Sequence, residues 1–161
     1  MKLSGRSIQA SSLFRIDSGA HGVNLRPIHM LEYFWVAIGG ALGSVGRYWF
    51  SGVVARQFGE TFPWGTLLVN ISGSLIIGFF AGMTGSEGRW PVPPWFRLQF
   101  FMTGMCGGYT TFSSFSLQTL NLMADGEWLY AGVNIILSVF CCLLAVWLGH
   151  VLAGILNASP R

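Results

Sequence analysis

Four apolar stretches dominate the chain: Leu31 to Val54, Trp64 to Met83, Phe96 to Met123 and Trp128 to Leu156. Each reaches the roughly 20 residues a helix needs to cross a hydrocarbon core about 30 Å thick. A backbone in that medium must satisfy its own polar groups, so runs of this length have to be helices. The expected fold is an all-α membrane protein with four transmembrane helices. The links Ala55 to Pro63, Thr84 to Trp95 and Ala124 to Glu127 are short, which makes neighbouring spans antiparallel. Trp35, Trp64, Trp95 and Trp128 stand near span ends, as an interfacial aromatic belt requires. Composition agrees: 9% of residues are charged, against about 25% in a soluble domain. The net charge of +3 is too small and scattered for nucleic acid binding.

Residues 1–29 differ from the rest. They carry Lys2, Arg6, Arg15 and Arg26, many serines, one acid (Asp17) and no apolar run, so they are not a secretory signal peptide. Their Arg- and Ser-rich, acid-poor composition is that of an organelle transit peptide. The preferred reading is an N-terminal extension that is disordered or lies upstream of a true start at Met30, since MLEYFWVAIGG leads straight into a span. The four-span domain is then 30–161. Basic residues decide orientation. With a Met30 start, Arg89, Arg97 and Arg161 lie on the side of the N-terminus, and Arg47 and Arg56 on the other. Three against two is so little bias that such a chain inserts both ways. With the extension the count is seven against two, which favours one orientation with cytoplasmic termini.

The third stretch contains GMCGGYTTFSSFS, Gly104 to Ser116, where a helix break is costly. The glycine pair followed by Tyr-Thr-Thr suits an unwound turn at mid-membrane, tolerated only where protein or water covers it. A break frees carbonyls that can bind a cation and N–H groups that favour an anion. Thr110, Thr111 and Ser113 are candidate caps for the second half-helix. Phe112 and Phe115 lie three apart on nearly one face, with hydroxyls at Ser113, Ser114 and Ser116 around them. Ring edges, hydroxyls and amide N–H groups attract an anion without carrying charge. Spacing alone fits either an uncharged anion path or a packed Phe/Ser interface.

Small and polar residues mark the other spans. Gly39 and Gly43 form a GxxxG pair, and Asn70, Ser74, Gly78 and Gly82 recur every four residues on one face. Close helix packing accounts for the glycines. Asn70 must either hydrogen-bond in the core or line a wet path. Asn134, Ser138 and Cys142 repeat the pattern in the fourth span. Arg47, about two turns from the end of the first, either snorkels to the interface or draws anions into a vestibule. Cys106, Cys141 and Cys142 read as small core residues; no CxxC or Cys/His spacing suggests zinc.

Three blocks, GGALGSVGRY (Gly39 to Tyr48), GTLLVNISGSLIIG (Gly65 to Gly78) and GMCGGYTTFSSFS, together resemble the small fluoride channels of the CrcB/Fluc family. The resemblance covers about Met30 to Leu156. It implies a dual-topology homodimer of antiparallel copies in the bacterial inner membrane, with two pores that pass fluoride passively and reject chloride, relieving fluoride toxicity. It implies a structural sodium ion where the broken third helices cross, held by backbone carbonyls of Gly107 and Thr110. The pore phenylalanines match Phe112 and Phe115, and the pore asparagine matches Asn70. The hydroxyls match Ser113, Ser114 and Ser116, Ser114 standing in place of a common threonine. The fourth-span polar track falls on Asn134 and Ser138, Asn134 where a tyrosine is common. Arg47 matches the arginine of the first block.

Three other classes fit less well. A small proton-coupled multidrug exporter needs a carboxylate inside its first span, and Glu32 sits at the edge. A non-transporting membrane assembly protein leaves Asn70 and the Phe/Ser run without a task. A membrane enzyme lacks a nucleophile–base–acid set.

Overall fold

The structure is a computed structural model describing residues 30–86 and 88–159. The extension 1–29 and Arg161 lie outside the described residues. Among the described residues every regular element is helical: α1 (Met30–Phe58), α2 (Trp64–Met83), a π-helical segment (Trp95–Cys106), a single α turn α3 (Gly107–Tyr109), α4 (Phe112–Ala124) and α5 (Trp128–Ala158). α2 and α5 are each long and apolar enough to cross a membrane.

Helix ends follow local chemistry. α1 runs four residues past the expected Val54 and stops at Gly59, whose φ of +77° suits glycine alone at low cost. α4 closes with Gly126 at φ +81°. There the Gly126 N–H donates to the Met123 carbonyl at 3.1 Å and the Glu127 N–H to Leu122 at 2.8 Å. This paired closure leads directly into α5 and explains so short a link.

Small residues set the packing. α2 lies along α5, and α1 lies along the π segment and α3. α5 buries Ala131, Asn134, Ser138, Ala145, Gly149 and Ala153, a narrow stripe of small side chains. A Cβ on Gly78 would collide with the Val146 carbonyl, and one on Gly149 with the Leu75 carbonyl. The two backbones touch, which is how helices gain dispersion energy where lipid is as apolar as their side chains. The Gly39/Gly43 pair does the same within the subunit: Cβ atoms there would strike the carbonyls of Phe100 and Met105.

The first half of the third stretch is a π helix, which periodicity did not anticipate. Its i→i+5 bonds lengthen each turn, so side chains four and five apart lie over one another. Phe96 accordingly stacks on Phe100 (centroids 5.2 Å) and lies 6.5 Å from Phe101. Trp95 stacks on Trp35 of α1 at 4.4 Å, and Phe101 sits 3.9 Å from Phe80 of α2. Aromatic contacts thus fasten this half to both neighbours before the chain breaks.

Candidate functional site: a broken helix and the cavity beside it

The break is real, and it falls on the threonines. Gly107, Gly108 and Tyr109 remain helical. Thr110 (φ −78°, ψ 157°) and Thr111 (φ −152°, ψ 115°) are extended. The glycines serve close approach instead: a Cβ on Gly108 would lie 2.9 Å from Gly40 Cα.

Side chains take over the peptide groups that the break frees. Asn70 does most of this. Its amide N–H donates to the Thr111 carbonyl at 3.1 Å, while the Thr111 N–H donates to its amide oxygen at 2.8 Å. The amide therefore replaces a backbone partner on both sides of one residue. Thr111 is the cap of α4, its Oγ1 accepting from the Ser114 N–H at 3.2 Å and lying 3.1 Å from the Ser113 hydroxyl. Thr110 instead donates its hydroxyl back to the Cys106 carbonyl at 3.0 Å. The Tyr109 hydroxyl, 3.0 Å from that of Ser72, pins the preceding turn to α2.

Beside the break lies a cavity of about 410 Å³ between α2, the third stretch and α5. Six expected site residues line it: Asn70, Gly107, Thr110, Phe112, Phe115 and Ser138. Its lining contains no charged side chain. The Phe112 and Phe115 rings are 5.3 Å apart, Phe112 standing out from the surface at 77% exposure while Phe115 is buried.

The remaining expected residues stand elsewhere. Asn134 is buried behind the cavity, where it donates to the Thr119 hydroxyl at 2.8 Å and accepts from Ser138 at 3.4 Å. The Thr119 hydroxyl donates in turn to the Phe115 carbonyl at 2.7 Å. This chain ties α5 to α4 directly beneath Phe115. Ser114 is half-buried at the cap, Ser113 and Ser116 are exposed, and Ser116 bonds back to the Phe112 carbonyl at 2.9 Å. Arg47 is half-buried on α1, outside the cavity lining. Sequence reasoning missed Thr119; Cys106 is buried as expected of a core residue and Cys142 is half-buried, and both also line the cavity. The four-residue spacing of Asn134, Ser138 and Cys142 was the available signal for Cys142.

Apolar helices, backbone-to-backbone packing and an uncharged cavity at a broken helix define a helical membrane protein. Residues 34–150 match the family described as CrcB-like protein, Camphor Resistance (CrcB). The chain belongs to that family. It is 61% identical over 127 residues to the fluoride-specific ion channel FluC of Methylocella silvestris, a match covering 79% of this chain and 96% of the relative. It is 59% identical to the protein of the same name from Rhodospirillum rubrum, covering 79% and 98%. With that of Opitutus terrae it shares 61% over 129 residues, covering 80% and 97%.

Proposed function

We propose that this chain is a passive, fluoride-selective ion channel that exports fluoride and so relieves its toxicity. The names of its relatives support the ion. The observation that carries the mechanism is the uncharged, donor-bearing cavity at the break. Fluoride is small and strongly hydrated, so it enters only where many donors replace its water; a full positive charge would hold it too tightly to release. A carboxamide has two N–H donors. Asn70 spends one on Thr111 and keeps one for the ion. The Ser138 hydroxyl, held only by a long 3.4 Å bond, rotates toward the cavity. Phe112 and Phe115 offer positive ring edges. Ser113, Ser114 and Ser116 continue the donors along α4, Asn134 orients Ser138, and Arg47 raises anion concentration in a vestibule. No carboxylate, lysine or histidine lines the cavity, so passage needs no proton gradient.

In this reading α1, α2, the broken third element and α5 make four crossings in the bacterial inner membrane. Two copies assemble antiparallel as a dual-topology homodimer with two pores. A structural sodium ion sits where the breaks meet. The donor set fits a hard cation, which favours oxygen ligands. Thr110 is extended, so its carbonyl leaves the helical ladder, and Gly107 presents exposed backbone without a side chain. These carbonyls, contributed by both copies, would hold the ion, which would supply positive charge between the two subunits.

Fluoride efflux from proteoliposomes with a potassium ionophore clamping the voltage tests the function. Fast fluoride loss without chloride loss, unchanged when a pH gradient is removed, is the expected result. Folded protein that releases no fluoride refutes the reading, and flux that collapses with the pH gradient refutes its passive character.

A further inference from the structure

The cavity wall holds sulfur that fluoride does not use. Met102 and Cys106, on the π segment, and Cys142, one turn beyond Ser138 on α5, all line it. The adjacent Cys141 does not. All three cysteines are free thiols. A thiol is a weak donor and a thioether donates nothing, so these groups add little for a hard anion. They are the ligand set that soft metal cations select.

We propose that the sulfur-bearing part of this cavity binds thiophilic metal cations, and that a cation seated there stops ion passage. Cys142 and Cys106 supply sulfurs that lose their thiol protons as the metal binds, and Met102 supplies a thioether. A cavity of about 410 Å³ has room for an ion carrying a small organic group. With methylmercury hydroxide the step is a ligand exchange: the thiol S–H bond breaks, an S–Hg bond forms, and the thiol proton leaves with hydroxide as water. No electron changes hands. The bound group then fills the space between Asn70, Ser138 and the two phenylalanines. The binding half of the proposal stands on the cavity alone; the blocking half rests on the fluoride reading.

The test uses the full chain in proteoliposomes, treated with methylmercury hydroxide and analysed by peptide mapping beside fluoride efflux. Adducts on Cys106 and Cys142, with efflux lost and then restored by dithiothreitol, are expected. Cys141→Ser stays sensitive. The double variant Cys106→Ser/Cys142→Ser, compared with its own untreated flux, becomes insensitive. Silver nitrate in chloride-free fluoride medium serves as the metal alone, and on the unmutated chain it protects Cys106 and Cys142, but not Cys141, from a maleimide. Labelling confined to Cys141, or silver that protects neither cavity cysteine, overturns the binding site. Inhibition that survives in the double variant, or complete labelling with flux intact, overturns the block. A chain that passes no fluoride before treatment refutes the proposed function, and the adduct map and silver protection still decide the binding site.

Discussion

In the proposed channel Asn70 carries two tasks with one amide. Its oxygen and one N–H hold Thr111, and its other N–H is left for an ion. Asn70→Asp separates them. The carboxylate still accepts from the Thr111 N–H but cannot donate to the Thr111 carbonyl, and leaving that acceptor unpaired costs about 1–3 kcal/mol. It also places negative charge in an anion path. The expected outcome is a lower thermal unfolding midpoint in detergent together with loss of fluoride efflux. The loss deepens as pH rises, because only the protonated acid offers a donor. Flux that is equal at every pH would remove Asn70 from the path. The amide of Asn134 is committed differently: its bonds to Thr119 and Ser138 reach α4 under Phe115. Both asparagines were legible as polar residues in apolar spans. Their partners were not, because Thr111 is 41 residues from Asn70 and Thr119 is 15 from Asn134.

At the scale of the element, small residues decide which helices touch. Gly43→Ala would drive a methyl into the Met105 carbonyl and to 2.8 Å from the Tyr109 nitrogen. α1 must then retreat from the turn that leads into the break. The cost is about 1–3 kcal/mol, as for other overpacked contacts, and fluoride flux falls with it. Gly52→Ala on the same helix meets nothing within 4 Å and stays within about 0.5 kcal/mol of the parent. Thermal unfolding of the two variants side by side checks the contrast. Run length marked the long apolar elements well, α2 at its observed ends and α1 and α5 to within a few residues. The break was legible as a polar interruption, but its position was not. Glycines looked like the weak point, whereas the residues that leave the helix are Thr110, whose hydroxyl bonds back to the Cys106 carbonyl, and Thr111, whose peptide groups Asn70 holds and whose hydroxyl caps α4. The π geometry was equally hidden, since Phe96, Phe100 and Phe101 fit an α face and a π face alike.

At the scale of the whole molecule, the proposed assembly needs copies in both orientations. In the 30–161 domain the flanks carry three basic residues against two, so lysines added to one flank set the orientation. Gln57→Lys/Glu60→Lys/Thr61→Lys makes the count three against five, and Ser86→Lys makes it four against two. Either variant alone is expected to insert mainly one way and lose fluoride efflux. Coexpression of the two restores it. Full activity from each strongly oriented variant by itself would exclude the antiparallel dimer.

The two-point hold of Asn70 on Thr111 also bears on how the molecule is made. A chain synthesised from its N-terminus delivers α2 to the bilayer before the third stretch arrives. In the four-crossing reading Thr111 therefore enters hydrocarbon with its replacement partner already in place, and its peptide groups need not wait bare where each would cost several kcal/mol. The order of segments along the gene is itself part of what makes an interrupted helix affordable: the splint is laid down before the fracture.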